Sequence, residues 1–186
     1  AYHDSLATTA AERGFIGPKE VSRLWSRHIL NCGVISEAFR EGVSVADIGS
    51  GAGLPGIPLA IARPDLSVTL IEPLLKRSTY LSEVKAELSL DNVTVIRGRA
   101  EEQKRLLFDV VTSRAVAPLG KLAVWSLPLV RPGGAMVAMK GASVSEELER
   151  DAKVIAKAGG VDAEIFAVGA DVLEQPTTLI RITRVG

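Results

Sequence analysis

The sequence contains little cysteine, no long apolar run and no excess of either charge. A single cysteine among 186 residues excludes an intramolecular disulfide and is typical of a reducing compartment, so we expect a cytoplasmic location. No stretch reaches the roughly 18 apolar residues that a membrane-spanning helix needs, and residues 1–14 lack the charged-then-apolar order of a signal peptide. With 47% hydrophobic residues, the composition also excludes a disordered chain. We therefore expect a globular protein without a membrane span.

Basic and acidic residues balance at 22 each, but they are unevenly distributed along the chain. Residues 97–140 contain eight Lys or Arg and three acids, which gives +5, whereas residues 141–175 contain three Lys or Arg and eight acids, which gives −5. Two interpretations remain open at this point. The segments are either two solvated faces of opposite sign, or the positive segment faces an anionic partner.

Apolar periodicity predicts a helical N-terminal segment, followed by strands that alternate with helices. In the first segment, apolar residues recur at helical spacing on one stripe: Val21, Leu24, Trp25, His28 and Ile29. Strands are predicted over residues 43–48, 67–72, 93–98, 109–114, 134–141, 163–168 and 177–184. Helices are predicted over residues 54–63, 74–90, 119–130 and 144–159. We divide the chain into a helical extension over residues 1–42 and an α/β domain over residues 43–186.

The alternation predicts an α/β fold with a mostly parallel, seven-stranded sheet covered on both faces. The strands at 43–48, 109–113 and 135–139 are apolar enough to be central. Only about eight residues separate the last two strands, which is too short for a helical crossover. We therefore predict that these two strands form an antiparallel pair at one edge of the sheet.

A glycine-rich loop directly follows the first strand, in the sequence Asp47-Ile-Gly-Ser-Gly-Ala-Gly-Leu-Pro-Gly56. Glycines at this spacing let a ligand approach the backbone closely. Two ligands fit the pattern, because the later glycines satisfy a dinucleotide fingerprint and the earlier ones satisfy the G-x-G-x-G loop that binds S-adenosylmethionine (SAM). Glu72 ends the second strand, where a carboxylate can accept both ribose hydroxyls of either ligand.

The remaining elements favour SAM over a nicotinamide cofactor. An antiparallel closing pair is typical of the Rossmann-like class I SAM-dependent methyltransferase fold. Residues 97–102 follow the third strand, where a backbone amide and an acidic side chain can bind an adenine edge. Ala100 leaves room there for the ring.

The segment Thr112–Pro118 follows the fourth strand, where a methyl acceptor is expected. Amino-group methyltransferases carry an Asn/Asp-Pro-Pro-aromatic motif at this position, but this chain has Ser113, Arg114 and Ala115. Pyrimidine C5 chemistry needs a cysteine nucleophile, whereas Cys32 lies in the N-terminal segment and is expected to be a small core or surface residue. Guanine N7 carries an exposed lone pair, so its methylation needs only proximity, orientation and a suitable field.

The chain resembles the RsmG (GidB) family of bacterial methyltransferases that modify guanine N7 in small-subunit (16S) ribosomal RNA, in wording closest to actinobacterial members. The matching segments are residues 13–32, 47–66, 71–77, 97–102, 112–119 and 139–141. The resemblance implies that SAM is bound by Gly49, Ser50, Gly51, Gly53, Leu54, Glu72, Ala100, Glu101 and Arg114. It makes Arg27, His28 and Lys140 candidates for RNA contacts, with ribosomal RNA or the small subunit as partner.

Further expectations concern the side chains around the site, the chemistry and the oligomeric state. His28 shares an apolar stripe, so it is expected to be half-buried, whereas Arg27 lies off that stripe and is the better RNA candidate. We expect Trp25 and Trp125 in the core. We expect no metal, no general base and a monomer, with Arg114 in a positioning role. Two other functions stay open: methylation of a small molecule, and SAM binding without catalysis.

Overall fold

Seven strands form one sheet in the computed structural model, which describes residues 1–114 and 117–186. The strands are β1 (Ser44–Ile48), β2 (Ser67–Glu72), β3 (Val93–Arg97), β4 (Phe108–Arg114), β5 (Val130–Met139), β6 (Gly160–Val168) and β7 (Thr177–Arg184). Their order across the sheet is β3-β2-β1-β4-β5-β7-β6. The first five strands are parallel, whereas β7 pairs antiparallel with both β5 and β6. The predicted Rossmann-like sheet with a C-terminal antiparallel pair is thus confirmed.

Helices connect the parallel strands as the pattern predicts, except that a 3-10 turn over Ala100–Glu102 stands between β3 and β4. They are α3 (Gly56–Ala62), α4 (Leu75–Glu87), α5 (Leu119–Ser126) and α6 (Val144–Lys157), and the short helices α1 (Tyr2–Ser5) and α2 (Leu30–Gly33) lie in the N-terminal segment. The predicted helix at 119–130 ends early, in a 3-10 turn over Leu127–Leu129. Strand β5 begins four residues before its predicted start, because Val130 pairs with Phe108 across an irregularity in the ladder.

The N-terminal segment is helical but not one regular helix. Besides α1 and α2, it contains π-helical turns over Leu6–Ala10 and Leu24–Ile29 and 3-10 turns over Pro18–Arg23 and Val34–Ala38. Because the winding changes at Leu24, the 3.6-residue periodicity does not continue past it. Leu24 is fully buried, but the prediction for Trp25 is wrong: it is 56% exposed and its ring stacks on His3 at 5.3 Å.

Both faces of the sheet are covered, and alternate residues of β5 show how. Val137 and Met139 pack in a cluster that includes the N-terminal segment, whereas Met136 and Ala138 pack with residues of α5 and α6. Leu24 joins the first cluster at 0% exposure, so its replacement by alanine is expected to cost about 2–5 kcal/mol of stability. The N-terminal segment therefore belongs to the main core. The domain boundary at residues 42–43 stays a proposal.

The strand order places a crevice at one edge of the sheet. β1 is flanked by β2 and β4. From β1 the strand order proceeds through β2 and β3 towards one side of the sheet, and from β4 onwards it proceeds towards the other side. Asp47 of β1 is opposite Leu70 of β2 and Thr112 of β4. In open α/β sheets, ligands bind at the carboxyl ends of strands where the order reverses in this way.

Candidate functional site

A cavity of about 340 Å³ opens where β1, β2 and β3 end, within the roughly 300–1,000 Å³ typical of small-molecule sites. Its lining comes from the strand ends, the loops that follow them and α5: Ile48, Gly49, Ile71, Pro73, Gly98, Arg99, Ala100, Glu101 and Trp125. Three of the predicted SAM residues, Gly49, Ala100 and Glu101, thus meet at one cavity. The carboxyl edge of the sheet is the location that the strand pattern predicts for a ligand.

The glycines of the loop after β1 have different roles. Gly49, Gly51 and Gly53 all have positive φ angles, of 66°, 57° and 99°. Among the described residues, 1–114 and 117–186, a Cβ on Gly51 would have the Gly49 carbonyl oxygen as its one neighbour within 4 Å, at 3.9 Å, so this part of the structure leaves space for a ligand beside Gly51. A Cβ on Gly53 would instead lie 2.5 Å from Cγ1 of Ile57 and 3.0 Å from the hydroxyl of Tyr2. Gly51 therefore suits ligand approach and Gly49 lines the cavity, whereas Gly53 serves packing.

Asp47, near the end of β1, links this strand to the start of α3 through its side chain. Its side chain is fully buried, and its Oδ2 accepts a hydrogen bond from the Gly56 amide at 3.0 Å. Burial raises the pKa of this carboxyl to about 7. Its Oδ1 and the hydroxyl of Thr112 have no hydrogen-bond partner within the described part of the chain.

Two predicted cofactor residues face inward. Ser50 donates its hydroxyl proton to the Asp47 carbonyl oxygen at 2.9 Å, and it is 2% exposed. Leu54 is 5% exposed and packs in the core. Both residues therefore shape the loop, and their side chains do not line the cavity.

Glu72 lies at the end of β2 and ties the loop to the next connection. Its Oε1 accepts from the Gly51 amide at 3.1 Å and its Oε2 from the Leu74 amide at 2.8 Å, with Arg77 3.9 Å away. The residue is 2% exposed. A carboxylate has about four lone-pair positions, so these bonds leave acceptor capacity for a ribose.

The wall opposite the loop is formed by a 3-10 turn and an aromatic ring. Ala100 and Glu101 begin the turn Ala100–Glu102, and the first amides of a helical turn point outward without an intrahelical partner. Trp125 lines the cavity and is only partly buried, and Lys121 lies 5.3 Å from its ring centroid. The expectation of a core tryptophan is therefore incomplete, because its ring also faces the candidate site.

Arg114 ends β4 and contacts the N-terminal segment. Its Nη1 lies 2.7 Å from Nδ1 of His28, and Nε2 of His28 lies 2.7 Å from Oε2 of Glu20. A guanidinium only donates hydrogen bonds, so Nδ1 of His28 accepts and Nε2–H donates to Glu20. This hydrogen bond lowers the pKa of Glu20. The next residues of the predicted acceptor segment, Ala115 and Val116, lie outside the described residues.

The three RNA candidates are placed differently. Arg27 is exposed, and the His28 side chain is 15% exposed with both ring nitrogens engaged. The Lys140 side chain is 8% exposed, and its ammonium donates to Glu147 at 2.9 Å. Arg27 is therefore the exposed cation among the candidates, and the half-buried position expected for His28 is what the structure has.

Cys32 is completely buried, so of the two expected positions, core or surface, it has the core one. Burial raises the pKa of its thiol to about 12, so the thiolate that a nucleophile needs is not formed near neutral pH. Among residues 1–114 and 117–186, no three His, Cys, Asp or Glu side chains are placed to hold a metal ion. None of the helices described is both long and apolar enough to cross a bilayer.

Two residues of the site were missed by sequence reasoning. Trp125 has the same apolar spacing as a core residue, so no local signal distinguishes it. Glu20 precedes His28 by eight residues. Whether two side chains at this spacing meet depends on the helical winding between them. The π-helical turn at Leu24–Ile29 supplies that winding and is not readable from periodicity.

Comparison with known proteins gives consistent matches over nearly the whole chain. Residues 1–175 match the model of the family described as rRNA small subunit methyltransferase G. The chain is similar to the "Ribosomal RNA small subunit methyltransferase G" of Corynebacterium glutamicum (strain R), with 73% identity over 99% of this chain and 84% of that protein.

Solved structures share the fold at lower identity. The structure of M. jannaschii TYW2 in complex with AdoMet matches with a TM-score of 0.66 at 21% identity, over 87% of this chain and 78% of that chain. A SAM-dependent O-methyltransferase from Thermotoga maritima matches with a TM-score of 0.66 at 14% identity, over 90% of this chain and 70% of that chain.

Proposed function

The chain belongs to the rRNA small subunit methyltransferase G family, and from this premise we propose that it transfers the methyl group of SAM to N7 of a guanine in small-subunit ribosomal RNA. It is a SAM-dependent methyltransferase. The observation that carries the proposal is the cavity at the ends of β1, β2 and β3, which is lined by Gly49 from the glycine-rich loop and by Ala100 and Glu101 from the turn after β3.

The residues present fit SAM. The space beside Gly51 can take the amino-acid end, because no side chain of the described part of the chain fills it. Glu72 has acceptor capacity for the ribose hydroxyls, and the amides of Ala100 and Glu101 can bind the adenine edge, with Trp125 beside the ring. When bound, SAM supplies a methyl group on a positively charged sulfonium.

The protein contributes position and field. N7 of neutral guanine carries its lone pair already, so the protein has no proton to remove before the methyl group is attacked. Arg114 stands at the end of β4, and its guanidinium suits either the carboxylate of the donor or a phosphate of the RNA. Replacing Arg114 by alanine separates the two roles. Loss of a carboxylate contact weakens SAM binding, whereas loss of a phosphate contact weakens RNA binding and reduces its salt dependence by about one unit of slope.

The RNA is expected to approach over the exposed N-terminal turns. Arg27 is exposed and adjacent to His28, which reaches Arg114 directly. Arg97 and Arg99 are exposed in the segment after β3, and Arg99 lines the cavity. We propose that phosphates contact these side chains, because guanidinium groups bind phosphate well. Since ribosomal RNA is the proposed substrate, we also propose that the protein works in the cytoplasm.

The test offers radiolabelled SAM to naked small-subunit RNA, to assembled small subunits and to a panel of small molecules. We expect label in the RNA of one of the first two substrates. Label only in a small molecule, or SAM binding without any transfer, would overturn the proposal. Arg27→Ala should weaken RNA binding without changing SAM affinity, and Lys153→Ala on the exposed part of α6 is the matched control.

A further inference from the structure

We propose that His28 is a positioning residue for methyl transfer, which together with Glu20 holds the guanidinium of Arg114 at the carboxyl end of β4. This inference rests on the proposed function, since it assigns a task to the same site. It differs from the expectation that His28 contacts RNA. The geometry is a chain of two hydrogen bonds, each 2.7 Å long, that begins at Glu20 and ends at Arg114.

The direction of these bonds follows from the chemistry of the three groups. Arg114 donates to Nδ1 of His28, so His28 in this arrangement is neutral and protonated at Nε2. That proton lies on the Glu20 carboxylate, which fixes the tautomer. His28 therefore acts here as an acceptor for Arg114, and the carboxylate of Glu20 selects the ring form that can accept.

The location of the three residues explains why such a support is needed. Glu20 lies in the 3-10 turn Pro18–Arg23, His28 lies in the π-helical turn Leu24–Ile29, and Arg114 belongs to the sheet. An arginine at a strand end has several rotatable bonds and loses much entropy when it is fixed. Arg114 uses one N–H to bind the His28 ring, which Glu20 holds in place. The other N–H donors of the guanidinium can then bind a carboxylate or a phosphate.

The same geometry argues against direct RNA binding by His28. Both of its ring nitrogens are already engaged, and its side chain is only 15% exposed. A base or phosphate could bind His28 only by displacing Glu20 or Arg114. The neighbouring residue Arg27, in contrast, is exposed to solvent.

The first test is a double-mutant cycle on methyl transfer to the RNA substrate. We expect His28→Ala to lower kcat/KM by about 10- to 100-fold, because misplacement of an orienting group has effects of this size. In the Arg114→Ala background, the same substitution should change kcat/KM by less than about 2-fold, since its target is gone. An equal loss in both backgrounds means that His28 supports the fold alone and overturns the proposal.

Isosteric variants sharpen the cycle. His28→Asn keeps an acceptor near the position of Nδ1, whereas His28→Gln places its amide near Nε2 and leaves Arg114 without an acceptor. We expect the asparagine variant to retain most of the activity and the glutamine variant to resemble alanine. The reverse order would contradict the assignment. His3→Asn is the matched control, because His3 stacks on Trp25 and should have no effect.

A spectroscopic measurement tests the contact without methyl transfer. Nitrogen NMR of the wild-type protein should show the ring of His28 protonated at Nε2 and unprotonated at Nδ1. Arg114→Ala should shift the Nδ1 resonance of His28 and leave that of His3 in place. If this shift occurs but wild-type protein methylates no RNA, the contact stands and the proposed function fails. If RNA is methylated but the shift is missing and the cycle is additive, the positioning role is wrong.

Discussion

Asp47→Asn should remove a pH dependence of stability that the wild-type protein has above pH 5. Burial raises the folded-state pKa of Asp47 to about 7, whereas an unfolded chain has an Asp pKa of about 3.9. The folded state therefore binds the proton more tightly than the unfolded state does. This contribution to stability is fully present below the unfolded pKa and is lost as the pH rises through about 7.

The size of the effect follows from the shift. A shift of about three pKa units corresponds to at most about 4 kcal/mol, and about 2–3 kcal/mol of that should be lost between about pH 5 and pH 8. Asparagine keeps an acceptor for the Gly56 amide and stays neutral. Its amino group occupies the position of the unpartnered Oδ1, which adds a cost that does not change with pH.

The assay is urea denaturation of both proteins at intervals from about pH 5 to pH 8. The difference in unfolding free energy between variant and wild type should shift in favour of the variant by about 2–3 kcal/mol as the pH rises. Asp91→Asn on the exposed surface serves as the matched control and should show no such trend. Parallel curves for wild type and Asp47→Asn would refute the argument, because they would mean that the carboxyl of Asp47 titrates at its ordinary pKa.

Three further predictions concern SAM binding, the first two measured by calorimetry and the third by fluorescence, with unfolding as the control for stability. Glu72→Gln should raise the Kd by about 10-fold or more, because a charged acceptor is lost, and an unchanged Kd contradicts the ribose assignment. Gly51→Val should abolish SAM binding and cost about 1–2 kcal/mol of stability, because Gly51 has a positive φ. Gly53→Ala should be more destabilising, because its Cβ meets α3, and equal stability losses would show that the loop glycines do not differ. SAM should quench tryptophan fluorescence in Trp25→Phe but not in Trp125→Phe, and quenching lost in the first variant instead would exclude Trp125 from the site.

The sheet could be predicted because its information is local. Each strand from β1 to β4 and the second half of β5 is a short, mostly apolar run, and the eight-residue gap before β7 permits only a tight return. The glycine loop and the segment at residues 97–102 follow strands directly, so their meeting at one edge follows from parallel pairing alone. Gly49, Ala100 and Glu101 accordingly line one cavity, and their contacts with SAM stay a prediction.

Other features depend on contacts between distant parts of the chain. The glycines look alike in sequence, but Gly53 is needed because Ile57 and Tyr2 approach it, and Tyr2 is 51 residues away. The contact between His28 and Arg114 joins residues 86 positions apart through a π-helical turn. Periodicity assumes one regular helix across that turn, which is also why it misplaced Trp25.

Methylation of a guanine of small-subunit ribosomal RNA at N7 is the activity proposed for this protein. Its most direct test is mass spectrometry of nucleosides from small-subunit RNA, taken from a strain that lacks the modification and incubated with the purified protein and SAM. We predict the appearance of 7-methylguanosine at about one residue per RNA molecule, and its absence with Gly51→Val, which should not bind SAM. A methyl group on another atom or another base, or no methylated nucleoside with the wild-type protein, would contradict the claim.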